Sequence, residues 1–321
     1  MNILPKFLYL FQTIPIKLHK FFFEELNKIT VKFIWQGKKS RINVKALQDL
    51  KSRGGLALPN WELYYTAAAL VWLKNWVNLF NKRTLLLEGH DLQRGWHTFL
   101  WEVGKVNQTY FYRHLIRDSL LTNWKKVQKK HYLKVPIWLS TMEAMIHPNN
   151  LDITKMIKYK DLLDAQGNLK TRQELQERGF KIDQRVYLQI HSRYKQDKKE
   201  FGINNKLQHL DKILLGSDKK NITKLYNYLL EVELEEKTVK GNMIAWSRNI
   251  GRSITLTEWE KIWSRNNKIT KSAAYKESTY KMFYRWHLPP SRLVKMHPNT
   301  SPKCWKCKRI DGTFFSYVVV L

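Results

Sequence analysis

Cysteine is nearly missing from this sequence, with Cys304 and Cys307 the only two in 321 residues. That scarcity excludes a disulfide framework and fits a reducing, intracellular compartment. Acidic residues are also few: 27 Asp and Glu stand against 57 Lys and Arg. No two aspartates are adjacent anywhere in the chain. Polymerases and nucleases that work with paired metal ions gather several carboxylates on rigid elements, so catalysis of that kind is not expected. Long apolar runs are missing as well. The longest, Ala67 to Leu73, is far too short to span a bilayer. The opening segment has Lys6 close to its apolar stretch and no small-residue cleavage site before Pro15 and Lys17, which argues against a signal peptide. A soluble protein is expected.

Other catalytic signatures are missing in the same way. The ten histidines, among them His90, His97, His114, His131 and His147, show neither HExxH spacing nor a nucleophile partner. Each reads as a surface or packing residue. There is no Walker loop, no dinucleotide fingerprint and no repeat at solenoid spacing. No enzymatic activity is expected of this chain alone, and no small-molecule substrate.

What is abundant is aromatic side chain and positive charge. The chain holds 13 Trp, 15 Tyr and 14 Phe within a 43% hydrophobic composition. Such a chain can bury enough apolar surface to fold, which sets it apart from a disordered tail. Its net charge of +30 opposes compaction unless a polyanion neutralises it. The cations are scattered along the chain and do not line one amphipathic helix, so nucleic acid, RNA or DNA, is a better partner than a membrane.

Hydrophobic periodicity predicts a mainly α protein, an irregular multi-helix architecture in two or three subdomains. Phe22, Leu26, Ile29 and Phe33 share one face of a helix from about His19 to Trp35, stopped by Gly37. Lys38, Lys39 and Arg41 then form a short basic loop placed to touch phosphates, with solvated surface as the plainer alternative. Val44, Leu47 and Leu50 suggest a shorter helix ended by Gly54 and Gly55, and Leu56 to Pro59 reads as an extended connector. Asn60 is placed to cap a helix from Trp61 to about Asn81 with a stripe of Tyr64, Ala68, Val71, Trp72 and Trp76.

A weaker pattern between Lys82 and Gly104 predicts a linker or seam. Beyond it, Tyr112, Ile116, Leu120, Trp124 and Val127 fall on one helical face. Arg113, Arg117, Lys126, Lys129 and Lys130 decorate the others, which makes this the leading candidate for a helix that touches nucleic acid. Further helices are expected near Lys160, from Thr171 to Gly179, and from Ile222 to about Glu236. The stretch from Val186 to Tyr194 fits a helix or a strand. Thr257 with Glu260 matches a capping box for a helix bearing Trp259, Ile262 and Trp263. A last helix, Lys271 to His287, is expected to close at Pro289 and Pro290.

Cys304-Trp305-Lys306-Cys307 has the spacing of half a zinc knuckle. Structural zinc needs four ligands, yet no His or Cys follows Cys307, and His297 upstream would make a three-ligand site at best. The pair therefore reads as an orphaned knuckle half or as a metal site completed by another chain, with a redox pair ranked below both. No cofactor is expected; zinc is the one candidate.

Several stretches together resemble a known family. Ile3-Leu4-Pro5-Lys6, Ile14-Pro15-Ile16-Lys17-Leu18, Lys32-Phe33-Ile34-Trp35, the run from Gly54 to Pro59 and Tyr64-Tyr65 are one set. They are similar to the region beyond the polymerase palm in the second open reading frame protein of vertebrate LINE retrotransposons. Trp259-Glu260-Lys261-Ile262-Trp263, Tyr284 to Leu288, the two-cysteine motif and Gly312-Thr313-Phe314-Phe315 resemble the C-terminal segment of that family, in the same order.

The resemblance implies a thumb-like helical region over residues 1–80, a wrist-like helical region over 81–240 and the start of the cysteine-rich segment over 241–321. It also implies that the endonuclease, fingers and palm would lie before Met1. The family continues past Gly-Thr-Phe-Phe with a His and, five residues on, a Cys, where this chain has Ser316 and Leu321. The expected function is therefore a non-catalytic nucleic-acid-binding remnant of a reverse transcriptase. It would grip template RNA or an RNA–DNA hybrid, in a cytoplasmic ribonucleoprotein or the nucleus. The alternative is a degenerate open reading frame product with no selected activity.

Overall fold

The computed structural model describes residues 3–40, 42–80, 82–90, 92, 95–101, 113–141, 156–217, 219–233, 237–269, 271–285 and 288–313. Among these, sixteen α-helices and one 3₁₀ turn account for nearly all regular structure, and only isolated β-bridges occur, with no sheet. The mainly α, multi-helix expectation therefore holds.

Contacts divide the chain into two compact units, residues 1–23 with 61–231, and residues 24–60 with 232–321. Residues 24–60 belong with the C-terminal third because the turn at Lys51–Arg53 is hydrogen-bonded to Trp259 and Asn267.

The first unit is built around the Trp61–Asn78 helix. Ala67, Ala68, Ala69, Leu70, Leu73 and Val77 are wholly buried in it. The expected stripe is too narrow: this helix is apolar on nearly every side because neighbours cover nearly every side, and Trp72 is its exposed aromatic residue. The described residues of the expected linker or seam are largely helical. The helices Lys82–Gly89 and Trp96–Trp101 occupy it, with Leu85, Trp96, Phe99 and Leu100 buried. Trp76 stacks on Trp96 at 4.6 Å, which explains why a stretch with a weak helical period still packs.

Two carboxylates carried into this core are each matched to more than one donor, as burial requires. Asp211, fully buried, accepts from the Tyr132 hydroxyl at 2.6 Å, the Trp138 indole at 2.9 Å and the Gln208 amide at 2.9 Å. Asp197 accepts from the Tyr159 hydroxyl at 2.7 Å and from Arg193 Nε at 3.0 Å. The segment that fitted helix or strand is the Gln184–Glu200 helix, capped by Asp183. Thr171 and Glu174 form a capping box that starts the Arg172–Glu177 helix, and Gly179, at φ 86°, turns the chain beyond it.

In the second unit, the Lys20–Ile34 helix supplies residues from Glu24 onward and ends as expected, with Gly37 at φ 78° closing a bond to the Lys32 carbonyl. The apolar face is covered only toward its start: Phe22 and Leu26 are half-buried, whereas Ile29 is 63% and Phe33 83% exposed. The fully buried residue of the helix, Phe23, belongs to the first unit.

The core of this unit joins Trp246, Trp259 and Trp263 with Phe283, Tyr280 and Tyr284. Two termini differ from expectation. Thr255 and Glu258 form the capping box of the Leu256–Ile269 helix, two residues before the predicted pair. Pro290 opens a further helix, Pro290–Met296, at a position where its missing N–H costs nothing.

Candidate nucleic-acid interface

The Leu115–His131 helix carries the main set of expected phosphate contacts. Its core side is as anticipated, with Leu120, Trp124 and Val127 buried; Tyr112 lies outside the described residues. Trp124 anchors it by donating from its indole to the Leu100 carbonyl at 2.8 Å. Arg113 is exposed just before the helix, and Arg117 is half-buried. Lys126, Lys129 and Lys130 are exposed near its C-terminal end.

Some of these cations have structural work as well. Lys126 lies 3.9 Å from Glu62, both well exposed, which is a weak pairing. Lys129 and Lys130 sit in the last turn with His131, and Asp118 sits in the first, the arrangement that complements the helix dipole.

Lys38 and Lys39 are exposed in the turn beyond Ile34 and belong to the second unit; Arg41 lies outside the described residues. The two expected basic groups are thus carried by different units.

A further cationic surface was not anticipated from the sequence. On the Leu256–Ile269 helix, Lys261, Arg265 and Lys268 recur at steps of four and three and are all exposed. With Thr257, Glu260 and Ser264 they line a shallow, open depression. The three cations have no ion-pair partner among the described residues, whereas Glu260 is held by Arg53 at 2.8 Å. The spacing is present in the sequence, on a helix whose tryptophans are the stronger signal and point to packing.

The cysteine motif folds as a tight knuckle. Cys304 N–H donates to the Ile310 carbonyl and Lys308 N–H to the Cys304 carbonyl, both at 2.8 Å, while Lys303 and Asp311 pair across the turn. Gly312 packs against the ring of Pro290, leaving no room for a Cβ. Cys304 is buried and Cys307 exposed. The backbone amides of Ile310 and Arg309 point at the Cys307 sulfur and hold its thiol below the usual range.

Two thiols do not complete a zinc site. No group of three or more His, Cys, Asp or Glu placed to hold a metal occurs among the described residues, and Ser316 and Leu321 lie outside them.

His90 and His114 are exposed. His131 Nδ1 meets the Tyr228 hydroxyl at 2.9 Å, and His147 lies outside the described residues. His97 is wholly buried, with Nε2 2.9 Å from the Val77 carbonyl and Nδ1 accepting from the Ser140 amide at 3.0 Å. Burial lowers its pKa to about 3, so it is neutral and structural. No helix among the described residues is long and apolar enough to cross a membrane. No family model matches the chain.

Proposed function

We propose that this chain is a non-catalytic nucleic-acid-binding protein derived from a LINE-type reverse transcriptase. It contacts template RNA or an RNA–DNA hybrid through phosphates. The observation that carries this reading is the charge: 57 cationic against 27 acidic residues, with cations exposed on packed helices of both units. Such a surplus is compatible with a compact fold when a polyanion offsets it. The sequence resemblance supplies the class of polyanion and a cytoplasmic ribonucleoprotein or nuclear setting.

The absence of any adjacent aspartate pair in the sequence favours binding over catalysis. A second reading, a product without selected activity, is favoured by Ser316 and Leu321, which stand where the resembled family has a His and a Cys.

Binding of the purified chain to a labelled RNA–DNA hybrid, measured across a salt series, tests the proposal. The logarithm of the association constant should fall linearly with the logarithm of salt concentration. No binding at low salt, or binding indifferent to salt, would overturn it.

A further inference from the structure

The Leu256–Ile269 helix is two-sided in a way that composition alone does not require. One side is locked into the second unit by Trp259, which is 1% exposed, and Trp263, which is 4% exposed. The other presents Lys261, Arg265 and Lys268 with the hydroxyls of Thr257 and Ser264 along the open depression. The carboxylate among its described lining residues, Glu260, is neutralised by Arg53 at 2.8 Å.

Resting on the nucleic-acid reading, we infer that this face grips consecutive phosphates along one strand of a nucleic-acid duplex. The spacing fits. Seven residues from Lys261 to Lys268 rise about 10 Å along a helix. That distance covers about three phosphates at roughly 3.4 Å of axial rise per strand. Cations and small hydroxyls are the side chains that recur at phosphate oxygens, and they carry no base preference.

The lining also selects the duplex over a single strand. Proteins that hold single strands stack bases on aromatic rings. No aromatic residue lines this depression among the described residues, because Trp246, Trp259, Trp263 and Phe283 pack together in the core. A surface without stacking rings addresses a backbone whose bases are already paired. The helix is pinned by its tryptophans and capped at Thr255, so its cations are presented on a rigid support.

The test compares the full chain with a triple variant, Lys261→Gln, Arg265→Gln and Lys268→Gln. Both are titrated with a labelled 20-base-pair RNA–DNA hybrid and with its single RNA strand across a potassium chloride series. Glutamine retains helix propensity, and the three side chains lie outside the core, so the thermal melt should be unchanged.

The expected result is hybrid binding weakened by about tenfold or more, with the log–log salt slope flattened by about 2 to 3. A companion variant that keeps all three charges, Lys261→Arg with Lys268→Arg, should bind like the parent. If the parent binds with salt dependence and the triple variant retains its affinity and slope, this face is not the contact and the general reading stands. If the single strand loses as much as the hybrid, the duplex assignment is overturned. If the parent itself shows no salt-dependent binding, the general reading has failed.

Discussion

The indole nitrogen of Trp259 donates a hydrogen bond of 2.9 Å to the carbonyl of Arg53, 206 residues before it in the chain. The same turn is held at three further points. Tyr284 donates its hydroxyl proton to the Gly54 carbonyl at 2.8 Å, Asn267 Nδ2 donates to the Lys51 carbonyl at 3.0 Å, and Arg53 pairs with Glu260 at 2.8 Å. The Arg53 and Gly54 carbonyls at the end of the Lys51–Arg53 turn are thus satisfied by side chains from the C-terminal third, and the Lys51 carbonyl, which also accepts from the Gly54 amide at 3.3 Å, gains a second donor. Two motifs that look unrelated in the sequence, the glycine pair with its Leu-Ala-Leu-Pro extension and the Trp-Glu-Lys-Ile-Trp run, form one structural element.

Gly54 is the pivot of that element. Its φ is 94°, and a Cβ placed on it would lie 2.5 Å from the Trp263 ring. Gly54→Ala therefore combines left-handed strain with overpacking and should cost about 2–4 kcal/mol. Gly37 shares a positive φ of 78° but has nothing within 4 Å, so Gly37→Ala should cost only about 1 kcal/mol. Denaturant unfolding followed by tryptophan fluorescence should rank the two variants in that order.

His97 gives the first unit a definite acid sensitivity. Its pKa in the folded chain, about 3, lies below the ordinary value of 6.5 because burial disfavours the imidazolium. Between these values the unfolded chain binds a proton that the folded chain excludes. The contribution of His97 to stability is thus complete above pH 6.5 and is lost as pH falls toward 3, by up to about 1.4 kcal/mol per pH unit. Urea midpoints measured from neutral to mildly acidic pH should fall less steeply for His97→Gln than for the parent, although the variant starts lower. An identical slope in both would refute this role.

Tyr132 and Trp138 share the Oδ1 atom of Asp211, and the buried tyrosine is held well above its usual pKa by desolvation and by that carboxylate. Tyr132→Phe leaves a buried acceptor short of one donor at little change in volume. It should destabilise the chain by about 1–3 kcal/mol. Equilibrium unfolding of Tyr132→Phe beside Leu133→Ala, a change at an 83% exposed position, isolates the hydrogen bond from general sensitivity to substitution.

How far the sequence announces all this depends on the range of the interaction. Helix positions were legible from local periodicity: the Lys20–Ile34 helix lies within one residue of its expected bounds, and the Leu115–His131 helix buries Leu120, Trp124 and Val127 as anticipated. Which side of a helix is covered was less legible, because it depends on partners far along the chain. Phe33 and Trp72 are therefore exposed against expectation.

The candidate interface divides similarly. Lys126, Lys129 and Lys130 are exposed as a basic helix predicts, whereas the face of Lys261, Arg265 and Lys268 is defined by Trp259 and Trp263 turning inward on the same helix. Whether residues 24–60 pack with the neighbouring Trp61–Asn78 helix or with the C-terminal third has no local signature. It is decided by contacts such as that of Trp259 with Arg53.

The knuckle offers a chemical test that needs no nucleic acid. Cys307 is exposed, and the amides of Ile310 and Arg309 stabilise its thiolate; Cys304 is 7% exposed. Alkylation by iodoacetamide proceeds through the thiolate, so Cys307 should be modified first and faster than an unstructured cysteine at neutral pH. Mass spectrometry of peptides after short labelling pulses would show this order. Equal labelling of the two positions under native conditions would mean that the turn is not formed.

The capping of the Leu256–Ile269 helix discriminates between two overlapping motifs. Thr255-x-x-Glu258 and Thr257-x-x-Glu260 both satisfy the pattern, yet only the first pair makes the reciprocal bonds, at 3.3 Å from Glu258 N–H to Thr255 Oγ1 and 2.9 Å from Thr255 N–H to Glu258. The carboxyl of Glu258 is drawn down to about 2 by that amide and by Arg252. Its folded-state pKa lies below the ordinary 4.5, so whatever it contributes is present above pH 4.5 and is lost as pH falls toward 2. Thr255→Ala should cost about 1 kcal/mol, whereas Thr257→Ala, on the open face, should leave stability unchanged. Thermal melts of the two variants give the order directly. If it were reversed, the helix would begin two residues later, and the register that turns Trp259 toward Arg53 and Lys261 toward solvent would be wrong.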